Sequence, residues 1–166
     1  MIKPNLLKVT IDDLDNINNV QKNMFGDDAL KKDIVESLVL GGLFLKLDSY
    51  NENNKLIGFI AIGLTGELIY PKIYSLAIIS KYRNTGYGSY LLKSALKKLP
   101  EYLKLVDNDD EYYKFDKIAL YVRKNNQNAL KFFMKFDFEI ISKEENYYSN
   151  GEAAYYMEKT ILNKIS

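Results

Sequence analysis

Apolar and polar positions along this chain switch between a period of two and a period near 3.6. "LLKVT", Leu6 to Thr10, is a short apolar run of strand length. Thr10 followed by Asp13 has capping-box spacing and predicts a helix to about Met24, with Ile11, Leu14, Ile17 and Val20 on one face. "FGDD" breaks that pattern, Asp27 or Asp28 is placed to cap a second helix to about Leu40, and Gly41-Gly42 stops it. "LFLKLDSY" and "KLIGFIAIGL" read as a hairpin joined by "NENN". "KIYSLAIIS" is the next strand, followed by "KYRNTGYG" and a helix from about Gly86 to Leu99, where Pro100 interrupts the pattern and after which helix can resume. "VDNDDEYYKFD" is polar and reads as a surface loop, "KIALYV" as a strand and "NNQNALKFFMKF" as a capped helix. "FEIISKEENYY" and "AAYYMEKTI" are strands around a turn at "SNGE".

The expected order is therefore β α α β β β α β α β β. Helices and strands alternate in the second half and hairpins occur elsewhere, which predicts a mixed α/β sheet with helices on both faces. No repeat or linker divides the chain, so a single domain over residues 1–166 is expected.

Composition narrows the chemistry. The formal net charge of +1 gives no basic field for nucleic acid or anionic lipid. There is no Cys and no His, which excludes a Cys nucleophile, a His base and a Cys/His metal site, and no metal is expected. Asp, Glu, Lys, Tyr, backbone groups and water remain for proton transfer. The N-terminal residues lack the apolar core of a signal peptide, and apolar runs of about eight residues are too short to span a bilayer. A cytoplasmic protein is expected. Lys outnumbers Arg 21 to 2, and one of the two, Arg83, stands at the glycine-rich turn, where a planar guanidinium fork suits an anion.

A strand feeding a helix through such a turn aims backbone N–H groups and the positive end of the helix dipole at one spot. Gly86 and Gly88 let an oxyanion approach the backbone. The nucleotide P-loop is excluded because Ser89-Tyr90 follows Gly88, and the dinucleotide fingerprint because Leu91 occupies its third glycine position. Two readings stay open for the turn alone: a phosphate site, or a helix start whose glycines only permit the turn.

"LAIISKYRNTGYGSYLLKSAL" resembles motif A of the GNAT acetyltransferase superfamily, and "VRKNNQNALKFFMKFDF" resembles its second motif at Asn126, Ala129, Phe133, Asp137 and Phe138. The resemblance implies a GNAT-like fold: a mostly antiparallel sheet of six to seven strands with about four helices. It implies acetyl-CoA as cosubstrate, with Leu76, Ala77 and Ile78 on the thioester and pantetheine strand. Arg83, Asn84, Thr85, Gly86, Tyr87, Gly88 and Ser89 would hold the pyrophosphate, with Asn126 and Phe133 also at the cofactor.

The C-terminal third is similar to the NatE-type enzymes that acetylate protein N-termini. That similarity implies a peptide clamp at Tyr147 and Tyr148 and a first-residue pocket at Phe25, Gly26 and Tyr74. It also implies a protein N-terminus as substrate and, as a further partner, an auxiliary subunit associated with the ribosome. The sequence departs from the pattern where chemistry is expected. Phe133 replaces a Tyr acid, Tyr121 stands at the position of a catalytic His, and Lys72 at that of a catalytic Tyr. Tyr121 and Lys72 are thus the catalytic candidates. An α-amine, with a reference pKa near 8, needs less help from a base than an ε-amine near 10, which favours N-terminal acceptors. The alternatives are acetylation of a small amine such as a polyamine, whose cationic groups the acidic run "DNDDE" would attract although that run reads more simply as a solvated loop, and a weakly catalytic acetyl-CoA-binding subunit.

Overall fold

A computed structural model describes residues 4–50, 52–64, 70–106 and 115–161. The run "DNDDE", Asp107 to Glu111, lies outside them. Seven strands and four α-helices follow the expected order: β1 (Pro4–Lys8), α1 (Leu14–Phe25), α2 (Lys32–Gly41), β2 (Leu43–Ser49), β3 (Leu56–Gly63), β4 (Lys72–Ile78), α3 (Tyr87–Val106), β5 (Lys117–Arg123), α4 (Gln127–Met134), β6 (Glu139–Glu144) and β7 (Ala154–Thr160). The strand order is β1-β2-β3-β4-β5-β7-β6, a mixed and mostly antiparallel open sheet. The contacts fall into two compact units, residues 1–63 with 73–110, and residues 64–72 with 111–166.

In the first unit β1, β2 and β3 form an antiparallel meander. Every residue of β3 is buried, as expected of a strand covered on both faces. Phe59 and Ala61 join a core with Ile17 of α1, with Val35, Leu38 and Val39 of α2, and with Phe44 of β2. Ile60 and Ile62 alternate with them and are equally buried, as are Leu91, Leu92, Ala95 and Leu99 of α3. The register of β2 against β3 slips after the Leu47–Gly58 pair, because Asp48 pairs with Leu56. Gly58 is required there: a β-carbon would lie 2.4 Å from the Ala77 carbonyl oxygen of β4.

In the second unit β7 lies between β5 and β6, antiparallel to both. Lys72, at the start of β4, pairs parallel with Ala119, and the Ala119 N–H donates to the Pro71 carbonyl at 3.0 Å.

Local chemistry shifts several boundaries. Thr10 and Asp13 do form the box, with the Thr10 N–H donating to Asp13 Oδ2 at 2.9 Å, but they open a 3-10 turn that leads into α1. Asp27 and Asp28 do not cap α2; they lie in a 3-10 turn, and α2 starts after Lys31, which makes no side-chain cap. Pro100 does not end α3, which continues to Val106. Buried Leu99 and Leu103 hold the same helix face on either side of the proline, so packing outweighs the lost backbone bond. The strand expected through Tyr148 ends at Glu144, which leaves the tyrosine pair in the β6–β7 connection.

Candidate functional site

The first unit carries the phosphate-turn candidates. The chain leaves β4 through a 3-10 turn, Ser80–Tyr82, and reaches α3 at Tyr87. Asn84 and Gly86 have positive φ, 59° and 90°, so the chain turns sharply twice before the helix. The first bond into the helix is Tyr90 N–H to Gly86 O at 3.0 Å. The N–H groups of Gly88 and Ser89 therefore stand ahead of the hydrogen-bond ladder, where a helix accepts an anion. A β-carbon at Gly86 would meet nothing within 4 Å, so the turn is open on that side. Arg83 Nε donates to the Ile78 carbonyl at 3.0 Å, which holds the guanidinium fork at the mouth of the turn. This geometry fits a pyrophosphate.

Leu76, Ala77 and Ile78 occupy the C-terminal half of β4, with Ala77 buried and its two neighbours partly exposed. Phe25 ends α1 and is 36% exposed, and Gly26 takes φ 57° as its C-cap. Tyr74 packs against the core of the first unit, and burial raises its phenol pKa. A shallow cleft of about 430 Å³ beside the hairpin turn is walled by Lys55, Leu56, Lys81 and Tyr82 and contains none of the residues nominated from sequence.

The second unit assembles the other candidates on one sheet face. Register puts Ala119, Tyr121 and Arg123 of β5 opposite Glu158, Tyr156 and Ala154 of β7, while Leu120, Val122 and Met157 point to the opposite, buried face. Tyr147 stacks on Tyr121, with ring centroids 4.5 Å apart and planes 17° from parallel. Tyr156 lies 5.1 Å from the same ring, and Tyr148 meets Tyr147 edge-on at 5.0 Å. The Lys72 ammonium lies 4.8 Å from the Tyr121 centroid. Arg123 stacks 3.9 Å from the Tyr148 centroid and pairs with Glu152 at 2.7 Å, and Glu152 also accepts the Asn125 N–H at 3.1 Å. Tyr156 donates to Glu158 at 2.9 Å, and Lys117 pairs with that carboxylate at 3.1 Å.

Tyr121, Lys72, Tyr147 and Tyr148 thus come together, though they are scattered over 77 positions of sequence. Burial lowers the Lys72 pKa below its usual value. Burial raises Tyr121, with Glu144 adding to the effect, and it raises Tyr148 against the opposing charge of Arg123. Tyr156 is pushed well above the usual phenol value, by burial first and then by its bond to Glu158. Among these four groups, Lys72 alone is moved toward the form that accepts a proton.

Asn126 is the N-cap of α4, its Oδ1 accepting the Ala129 N–H at 3.1 Å. Phe133 is buried between Phe132 and Phe138, at 5.2 and 5.5 Å. Sequence reasoning missed Arg123, Glu152, Tyr156 and Glu158 as parts of this face. The alternation in "AAYYMEKTI" puts Tyr156 and Glu158 on one side of a strand, but only the β5–β7 register sets them against Tyr121.

Residues 13–138 match the family described as Acetyltransferase (GNAT) family. The chain is 27% identical over 155 residues to a protein named probable N-acetyltransferase san from Drosophila melanogaster, covering 91% of this chain and 76% of that one. It is 29% identical over 146 residues to N-alpha-acetyltransferase 50 of Danio rerio, covering 87% and 77%. The fold is similar to that of Arabidopsis thaliana Naa50 in complex with the bisubstrate analogue CoA-Ac-MVNAL, with TM-score 0.76, 23% identity, and coverage of 96% and 100%.

Proposed function

The chain belongs to the acetyltransferase (GNAT) family, and from that premise we propose that it transfers acetyl from acetyl-CoA to the α-amino group of protein N-termini. The family makes it an acetyl-CoA-dependent acetyltransferase. The acceptor is the part proposed, and the tyrosine cluster around Lys72 carries it. Tyr121, Tyr147, Tyr148 and Tyr156 offer ring faces and hydroxyls suited to a peptide main chain and its first side chains. The nearby carboxylates of Glu152 and Glu158 are neutralised by Arg123 and Lys117, which disfavours a polycation as acceptor. Two relatives bear N-acetyltransferase names, and the Arabidopsis thaliana protein was solved with an analogue that joins CoA to a peptide.

In this reading the whole chain is one catalytic domain. Arg83 to Ser89 hold the pyrophosphate, Leu76 to Ile78 line the thioester, and Asn126 and Phe133 complete the cofactor side. Phe25, Gly26 and Tyr74 receive the first residue, and Tyr147 and Tyr148 hold the main chain. Lys72, whose pKa burial lowers, is the base that takes a proton from the attacking amine. Tyr121 is the platform against which Lys72 rests. A backbone N–H between Leu76 and Ile78 polarises the acetyl carbonyl as the C–N bond forms and the C–S bond breaks. A cytoplasmic location and an auxiliary, ribosome-associated subunit go with this reading.

Thiol release from acetyl-CoA, measured with a panel of peptides alongside spermidine and lysine, tests it. Turnover is expected with free peptide α-amines and not with the small amines. Turnover on spermidine or lysine alone would overturn the proposal.

A further inference from the structure

We propose that Glu52, in the turn between β2 and β3, is a positioning residue for acetyl-CoA: through the Tyr82 hydroxyl it fixes the turn that holds the pyrophosphate. The inference rests on the assignment of Arg83 to Ser89 to that group, and it lies wholly within the first unit.

The hairpin tip presents Glu52 in a fixed place. Ser49 N–H donates to the Lys55 carbonyl at 2.8 Å, Lys55 N–H to the Glu52 carbonyl at 3.1 Å, and Glu52 N–H to Ser49 Oγ at 3.1 Å. From there Glu52 Oε2 accepts from Lys81 Nζ at 2.7 Å and from the Tyr82 hydroxyl at 2.9 Å. These hydrogen bonds, Lys81 first, hold the Glu52 carboxyl below its usual pKa.

Tyr82 is the hub of the segment that follows. It is 5% exposed, and its ring meets that of Tyr87 edge-on at 6.3 Å. Its carbonyl accepts the Thr85 hydroxyl. Tyr87 is the first residue of α3. Tyr82 therefore braces both ends of a stretch in which Asn84 and Gly86 take left-handed backbone conformations, while the hydroxyl ties that stretch to a different hairpin. A phenol-to-carboxylate bond is charge-assisted and stronger than a neutral one. The Lys81–Glu52 pair, with Lys81 53% exposed, contributes little. The hydroxyl is thus the operative tie, and preorganising a turn of donors strengthens anion binding by cutting the ordering cost.

The test is a double-mutant cycle on Tyr82→Phe and Glu52→Ala, reading dissociation constants for CoA and for acetyl-pantetheine, which lacks the pyrophosphate. In the wild-type background Tyr82→Phe is expected to weaken CoA binding by roughly three- to tenfold. In the Glu52→Ala background it should have no further effect, because the partner is already gone, and the cycle cancels the charge effect of freeing Lys81. Acetyl-pantetheine binding, and kcat at saturating acetyl-CoA, should not change in Tyr82→Phe. Equal losses of CoA and acetyl-pantetheine, unchanged CoA binding in Tyr82→Phe, or additive effects in the cycle would each overturn the proposal. If the wild-type protein binds CoA no more tightly than acetyl-pantetheine, the pyrophosphate assignment itself falls.

Discussion

Lys72 is partly out of water, which makes its charge costly, while the Tyr121 ring face 4.8 Å away attracts it. Below its folded pKa the buried ammonium is penalised relative to the unfolded chain. Above 10.5 the side chain is neutral in both states and the penalty is gone. The stability that this residue contributes therefore rises with pH from the folded value up to 10.5. Lys72→Met should abolish that rise, read as denaturant midpoints over the same interval. The substitution should also lower kcat on a peptide by roughly a hundred- to ten-thousandfold, the usual worth of a proton-transfer group, while leaving CoA affinity unchanged. Tyr121, Lys72 and the tyrosine pair could be nominated because the chain resembles the NatE-type enzymes at those positions. Arg123 behind Tyr148 and Glu158 behind Tyr156 could not, since an ion pair or a stacked guanidinium has no signature in one dimension.

Helix α4 is fastened by Asn126, whose Oδ1 takes the Ala129 N–H. Asn126→Ala should lower stability by about 1 kcal/mol, whereas Asn126→Asp keeps the acceptor oxygen and should hold stability near wild type in thermal unfolding. Weaker CoA binding in the Asp variant alone would report a second duty for the amide. The order of elements was legible because periods of two and 3.6 are written directly in the apolar positions. Their ends were less so. The two aspartates after Phe25 had capping chemistry, but they close a 3-10 turn, and α2 begins without a side-chain cap. Pro100 is a strong local stop, yet the apolar face that continues through Leu103 carries α3 past it.

The last strand in sequence, β7, is an inner strand in space, paired on one side with β5 and on the other with β6. Truncation before Ala154 should strip β6 of its ladder and β5 of the one on its β7 side, and the amides of Ile118, Leu120 and Val122 should lose hydrogen-exchange protection. Persistent protection there would show that β5 holds without β7. Gly58 shows the same dependence on distant chain: its lack of a side chain matters only because the Ala77 carbonyl comes so close. The sequence by itself determined the run of helices and strands, the glycine-rich turn with Arg83 and the exclusion of Cys and His chemistry, because these are properties of residue type and spacing along one chain. Tertiary structure alone decided that Tyr121 meets Tyr147 and Tyr156, that Lys72 is desolvated beside them, and that Glu52 reaches Tyr82. Such contacts depend on strand register and burial, which are fixed by packing between segments far apart in sequence.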